Sequence, residues 1–133
     1  MPVATKSYEG LTAVLNWLNS GQGGANWKLK LFQNAISLSP SVPLTALTEC
    51  TFGGYAPYNM AFPAAALVGG TVATAADPGH QFAWSSSPPN TVYGWYVVDV
   101  AANKMIACDT LATPKTMGAA GDTLTVTITD TLQ

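Results

Sequence analysis

Val92-Tyr-Gly-Trp-Tyr-Val-Val98 is the stretch that decides the fold, because β-branched and aromatic residues dominate it. Ala101-Ala-Asn-Lys104 follows with residues typical of a turn, and the run Met105 to Cys108 is apolar enough to return beside the first one. The two runs and their connection predict a β-hairpin.

Both faces of this strand carry large side chains. Tyr93, Trp95 and Val97 share one face, because side chains alternate along a strand. Tyr96 and Val98 share the other face. A strand that is apolar on both sides is expected to lie in the centre of its sheet or beneath a partner.

Two further segments alternate with the period of a strand. Trp27-Lys-Leu-Lys-Leu-Phe32 is predicted to bury one face and to expose Lys28 and Lys30, a usual protection of an edge strand. Thr123-Leu-Thr-Val-Thr-Ile-Thr129 alternates threonine with aliphatic residues, which predicts a hydroxyl-lined face in solvent or at an interface.

The N-terminal segment has a different period. Between Tyr8 and Asn19 the apolar residues recur at helical spacing and predict a short amphipathic helix with the stripe Leu11, Val14, Leu15 and Leu18. Elsewhere short apolar runs alternate with turn signals, as in a sandwich or barrel. We therefore expect an all-β fold, a jelly-roll-like β-sandwich or barrel, with a short N-terminal helix. Residues 1–26 are expected to form the arm or helix, and residues 27–133 a single β-sandwich domain.

The composition is apolar and poor in charge. Hydrophobic residues make up 48% of the chain and charged residues 9%, against about 25% charged in an average soluble domain. The exposed surface is therefore expected to be rich in hydroxyl and amide groups, or part of the apolar surface is covered by neighbouring subunits. The second alternative is favoured.

The same composition disfavours several kinds of partner. All the basic residues are lysines, and with a net charge of -2 this argues against specific nucleic-acid binding and against an electrostatic route to a membrane. The longest apolar stretch, Ala61 to Val68, is too short to span a bilayer. No secretory signal is recognisable at the N-terminus, so we expect the chain to stay where it is made or to leave inside a larger particle.

Residues for catalysis or metal binding are sparse. The single histidine, His80, follows Asp77-Pro-Gly79 and is read as an exposed turn residue. The sequence contains no GxSxG motif whose serine His80 could activate. One histidine and two distant cysteines also cannot form a zinc site of the usual spacing. Cys50 and Cys108 are predicted to be small buried hydrophobes, with a disulfide as the less favoured alternative. The sequence predicts no enzyme, no cofactor and no metal.

Aromatic side chains suggest a second kind of function, the binding of sugars by stacking. Core packing is the favoured reading for most of them. Tyr58 and Trp84, beside loops rich in Gly, Ser and Pro, remain candidates for outside contacts. The loops at Tyr55–Tyr58 and Ser85–Asn90 are expected to make further contacts with partners.

Two segments carry a resemblance to a known class of proteins. They are Leu44-Thr-Ala-Leu-Thr-Glu-Cys-Thr-Phe-Gly-Gly-Tyr-Ala56 and, about forty residues later, Val92-Tyr-Gly-Trp-Tyr-Val-Val-Asp99. They resemble the TLADLTEATFxGYA segment and the VYGYFVTD strand of small tailed-bacteriophage virion proteins. The resemblance covers about residues 27–110, and Cys50 departs from it by replacing a small residue.

This resemblance implies a virion structural component made in the host cytoplasm without a signal peptide. It implies a capsid decoration (cement) protein or a tail- or fibre-associated domain, often trimeric, with the major capsid protein or other virion subunits as partners. A carbohydrate- or receptor-binding module of a tail or fibre is the alternative. The residues expected at partner contacts are Leu11, Val14, Leu15, Leu18, Tyr55, Tyr58 and Trp84.

Overall fold

A computed structural model describes residues 5–6, 27–60, 66–68, 72–76 and 79–132. Strands are by far the main regular structure of the described chain, which confirms the all-β class, and the only helical element among the described residues is a 3-10 turn at Leu44–Ala46. The strands are β1 (Thr5–Lys6), β2 (Trp27–Phe32), β3 (Tyr58–Asn59), β4 (Ala66–Val68), β5 (Val72–Ala76), β6 (His80–Ala83), β7 (Asn90–Asp99), β8 (Lys104–Met117), β9 (Thr123–Val126) and β10 (Thr129–Leu132).

The predicted N-terminal helix at Tyr8–Asn19 lies outside the described residues. In the part of the arm that the structure describes, Thr5 and Lys6 pair with Cys108 and Ala107 of β8. A search of the described residues finds no helix long and apolar enough to cross a membrane.

A five-stranded antiparallel sheet in the order β1-β8-β7-β2-β3 is the largest part of the fold. Its centre is the predicted hairpin of β7 and β8, in which Asp99 pairs with Lys104. Asn103 closes the turn with a φ of 54°, and the Asp99 carboxylate accepts hydrogen bonds from the N–H groups of Ala101 and Ala102. The hairpin and the central position of β7 are confirmed.

The β7–β8 ladder is interrupted by a large irregular bulge beside Gly94. Val92 pairs with Lys115 and Gly94 pairs with Thr110, so the four residues 111–114 lie opposite Tyr93 alone. Gly94 is also where β7 passes closest to its neighbours, because a Cβ there would collide with the Asp109 carbonyl and the ring of Phe32. Only glycine fits this position without a shift of the strand or of Phe32.

The threonine-rich segment does not join the large sheet. Its first four residues form β9, which pairs with β6, and its last residue, Thr129, begins β10, which pairs with β5. β4 completes the β10-β5-β4 sheet. The predicted alternation of the segment is confirmed, since Thr123, Thr125 and Thr127 are exposed whereas Val126 and Ile128 are buried.

Apolar residues cover both faces of the five-stranded sheet. The first core lies between one face and β6 with β9, which makes the fold sandwich-like; among its members are Trp27, Leu29, Leu31, Phe52, Phe82, Val97, Ile106, Val126 and Ile128. The second core lies on the opposite face beneath the segment 36–47; its buried members are Phe32, Leu47, Tyr96, Val98, Met105 and Cys108.

This double coverage corrects the interpretation of β2. The strand lies between β7 and β3 and is not at the edge of the sheet. Lys28 and Lys30 share the face of Phe32, and both are half-buried instead of exposed. The alternating lysines predicted that this face of β2 is exposed to solvent. The period of the sequence cannot show that the segment 36–47, which is distant along the chain, covers that face.

The two cysteines are free and buried, as expected from the sequence. Cys50 belongs to the first core and Cys108 to the second, so the sheet separates them. A disulfide, the less favoured alternative, is not formed.

Candidate functional site

The segment that follows the 3-10 turn is tied to the end of β2. The N–H of Cys50 donates to the Leu31 carbonyl at 2.9 Å, and the N–H of Gln33 donates to the Thr48 carbonyl at 2.8 Å. These bonds place Glu49 opposite Phe32 in an antiparallel bridge.

Glu49 joins two side chains from different parts of the fold. Its Oε2 accepts a hydrogen bond from Lys30 Nζ at 3.1 Å, and its Oε1 accepts one from the Tyr55 hydroxyl at 2.9 Å. The Tyr55 hydroxyl in turn accepts from the N–H of Leu31 at 3.2 Å. Burial raises the pKa of Tyr55 well above its usual range, so the hydroxyl remains a donor to the carboxylate at physiological pH.

A groove of about 260 Å³ opens beside this ion pair. Its lining is mixed, and polar atoms contribute more of the exposed surface than apolar atoms. The polar members are Lys30, Glu49, Tyr96 and Asn103, and the aliphatic members are Leu44, Leu47, Val98 and Val100. Burial raises the pKa of Tyr96, and the nearby Glu49 carboxylate raises it further. Val100 stands at the hairpin turn with 44% of its surface exposed.

The next part of the segment is locked to the loop after β6. The N–H of Ser85 donates to the Gly53 carbonyl at 2.8 Å, and the N–H of Gly53 donates to the Pro88 carbonyl at 3.2 Å. A Cβ on Gly53 would collide with the backbone of Ser86. The chain just before the predicted contact loop at Tyr55–Tyr58 is therefore tied to the other predicted contact loop at Ser85–Asn90.

A row of rings runs along one side of the molecule. Tyr55 lies between Phe52 and Phe82, with ring centroids 5.4 Å and 5.8 Å away. Tyr58 is stacked on His80 at 4.1 Å, and the edge of His80 meets Phe82 at 4.6 Å. His80 is thus the half-buried first residue of β6, and its reading as an exposed turn residue is wrong.

Trp84 follows directly after β6. Its backbone N–H donates to the Asp122 carbonyl at 3.0 Å, and its ring packs partly buried against the first core. Its Nε1 is buried and has no hydrogen-bond partner among the described residues.

The expected contact residues fall into two sets. Tyr55, Tyr58 and Trp84 are all half-buried and pack against the first core, so the structure brings them to one side of the sheet. Tyr55 stabilises the fold more than it offers a ring face to a ligand, because both its ring and its hydroxyl have partners within the protein. The helical stripe lies outside the described residues; its members are Leu11, Val14, Leu15 and Leu18.

Sequence reasoning missed the groove. Glu49 lies in the segment that carries the phage resemblance, and Lys30 lies in a recognised strand, but nothing in either pattern indicates that they meet. Val100 lies beside them only because the register of the β7–β8 hairpin places its turn next to the groove. Among the described residues no group of three or more His, Cys, Asp or Glu side chains is placed to hold a metal ion.

The exposed surface of the described residues is unusually free of charge. Among residues 27–60 and 79–128, Lys104 is the only charged residue that is exposed and Val100 the only large hydrophobic one. Most of the remaining exposed positions are Thr, Ser, Ala, Gly or Pro. Comparison of the chain with protein-family models, curated proteins and solved structures finds no match.

Proposed function

We propose that this chain is a non-enzymatic virion structural protein, and specifically a capsid decoration (cement) protein that binds and stabilises the shell through contacts between subunits. The charge-poor surface is the observation that carries the proposal. Free soluble surfaces ordinarily carry many charged residues, whereas the centres of protein interfaces are depleted of them. The small exposed side chains also allow a neighbouring surface to approach closely.

The two segments with the phage resemblance support this proposal because they pack on each other. Leu47 of the first segment lies in the second core with Tyr96 and Val98 of the second segment. Glu49 of the first segment and Tyr96 line the same groove. The resemblance therefore concerns one contiguous structural unit.

The proposal includes the finer architecture expected of such proteins. The chain is a jelly-roll-like sandwich that assembles as a homo-oligomer, with a trimer favoured, on major capsid protein or other virion subunits. Symmetric repetition allows many modest contacts to hold such a protein firmly.

A carbohydrate- or receptor-binding module of a tail or fibre is the second candidate. The half-buried ring of Tyr58, stacked on His80, and the half-buried ring of Trp84 favour it, because both lie on the same side of the sheet. Under this alternative Trp84→Ala keeps the fold and abolishes glycan affinity, measured on a glycan array.

The proposed function is tested by rebinding of the purified chain to shells isolated without it. Ala83→Glu, Ala112→Glu and Thr125→Glu each add a charge at an exposed position. We expect wild-type binding to change little between 50 and 500 mM salt, because few charges are available to be screened, and at least one variant to bind about tenfold more weakly (about 1.4 kcal/mol). Wild-type chain that fails to sediment with shells contradicts the proposal.

A further inference from the structure

We propose that the groove beside the Lys30–Glu49 ion pair binds a small uncharged polyol, and specifically the neighbouring hydroxyl groups of a single sugar ring. Tyr96, which lines the groove, belongs to the second core, whereas the half-buried rings of Tyr58 and Trp84 pack against the first core on the other face of the sheet. The site is therefore separate from the row of rings, and it needs no partner chain.

The Tyr96 hydroxyl is the observation that carries this site. Tyr96 is only 4% exposed and lines the groove, yet its hydroxyl makes no hydrogen bond with the described residues. Within that part of the chain, Trp84 Nε1 is the only side-chain polar atom of a buried or half-buried residue that is both covered and unpaired. The Tyr96 hydroxyl therefore keeps contact with solvent, through the groove that the residue lines. It offers a donor and an acceptor to a molecule bound there.

The ion pair complements a hydroxyl group without attracting a charged ligand. Lys30 Nζ and Glu49 Oε2 lie 3.1 Å apart, and the two side chains are 22% and 33% exposed. An ammonium has three N–H groups and a carboxylate oxygen has two lone pairs, so both side chains keep hydrogen-bonding capacity beyond their bonds within the protein. One sugar hydroxyl can accept from Lys30 while its neighbour donates to Glu49. A charged ligand would instead compete with one member of the pair.

The rest of the lining suits the mixed surface of a sugar ring. Asn103 adds an amide that can donate and accept, and Val100, which is 44% exposed, adds an aliphatic rim for the C–H groups of the ring. Polar atoms contribute more of the exposed lining than apolar atoms, which favours a polyol over an aliphatic ligand. The volume of about 260 Å³ is below the roughly 300–1,000 Å³ that is usual for ligand pockets. It therefore limits the occupant to one ring.

NMR titration of the ¹⁵N-labelled chain tests the site directly. The probes are the methyl glycosides of glucose, galactose, mannose and N-acetylglucosamine, and cyclohexanol is the control ring with a single hydroxyl. At least one glycoside is expected to give saturable shifts at the backbone N–H groups of Lys30, Glu49 and Asn103, with a dissociation constant on the order of 1 mM. Cyclohexanol is expected to give none. The absence of saturable shifts with every glycoside overturns the inference, and so do shifts centred on Tyr58 and Trp84.

Tyr96→Phe tests the hydroxyl itself. The variant keeps the ring in the second core and removes a hydroxyl that has no partner among the described residues, so we expect it to fold and to bind the glycoside at least fivefold more weakly. Tyr93→Phe is the matched control, because Tyr93 does not line the groove, and its affinity is expected to stay within twofold of the wild type. Unchanged affinity in folded Tyr96→Phe overturns the site.

Asn103→Gly gives a second measurement that does not alter the core. Asn103 has a φ of 54°, a conformation that glycine adopts freely, so the variant removes the amide and keeps the turn. We expect glycoside binding to weaken at least twofold. Equal affinity of this variant and the wild type contradicts a role of the hairpin turn in the site.

Discussion

Tyr55 has its ring in the first core and its hydroxyl between Glu49 and the backbone of Leu31. Tyr55→Phe keeps the ring and leaves the Leu31 N–H without this acceptor. We expect a loss of about 1–2 kcal/mol in the free energy of unfolding, because an unpaired buried donor costs more than the lost bond itself. Urea denaturation followed by tryptophan fluorescence measures it.

Tyr93→Phe is the matched control. Tyr93 is also half-buried, but its hydroxyl makes no hydrogen bond with the described residues. The control is expected to change stability by about 0.5 kcal/mol or less. Equal losses in the two variants would mean that the Tyr55 hydroxyl contributes nothing specific.

The buried thiols predict a pH dependence. Burial raises the pKa of Cys50 to about 12 and that of Cys108 to about 11, from 9.0 in an exposed thiol, and nearby Glu49 and Asp109 add to these shifts. As the pH rises, these thiols therefore lose their protons at a lower pH in the unfolded chain than in the folded chain. The free energy of unfolding consequently falls between about pH 9 and the folded-state pKa values.

The double variant Cys50→Ala/Cys108→Ala isolates this contribution. It lacks the thiols but keeps the buried tyrosines, so its stability is expected to fall less steeply between pH 9 and pH 11 than that of the wild type. Chemical denaturation at each pH gives the two slopes. Identical slopes would show that the thiols do not titrate differently in the folded and unfolded chains.

At the scale of elements, the β7–β8 hairpin depends on its turn. Asn103 has a φ of 54°, a conformation that glycine adopts freely and alanine does not. Asn103→Ala is expected to cost about 1 kcal/mol, and Asn103→Gly to be close to neutral. Thermal unfolding of both variants tests this, and equal melting temperatures would contradict the role of the turn.

The sequence predicts those elements whose signal is local. β2, the β7–β8 hairpin and the exposed threonines of β9 follow from alternation and turn residues, and the structure confirms them. The pairing of β6 with β9, and of the Gly53 region with the loop at Ser85–Pro88, joins segments distant in the chain. Local period carries no information on such contacts, and for the same reason the coverage of Lys30 and the placement of His80 were missed.

The candidate contact residues also separate into those with a local sequence signal and those that depend on contacts between distant segments. Aromatic content brought attention to Tyr55, Tyr58 and Trp84, which the fold gathers on one side; their role in partner contacts stays a prediction. The groove at Glu49 and Val100 could not be predicted, because it forms only when a loop, a strand and a hairpin turn meet.

At the scale of the whole molecule, the low charge of the sequence becomes a property of the surface. The few charged side chains in residues 27–60 and 79–128 are mostly half-buried, and several hydrogen-bond locally, as Asp122 does with the N–H groups of Gly118 and Ala119. Most of the exposed positions in these ranges carry small, neutral side chains. Such a surface is expected to pack against neighbours by shape more than by charge.

Quantitative mass spectrometry of purified virions from the source of this chain, with the major shell protein as internal reference, tests the virion proposal most directly. The account predicts a copy number in the hundreds, as expected for a protein that decorates every part of the shell. A few dozen copies or fewer would instead assign the chain to a tail or fibre, and absence from the virions would contradict a structural role in the particle.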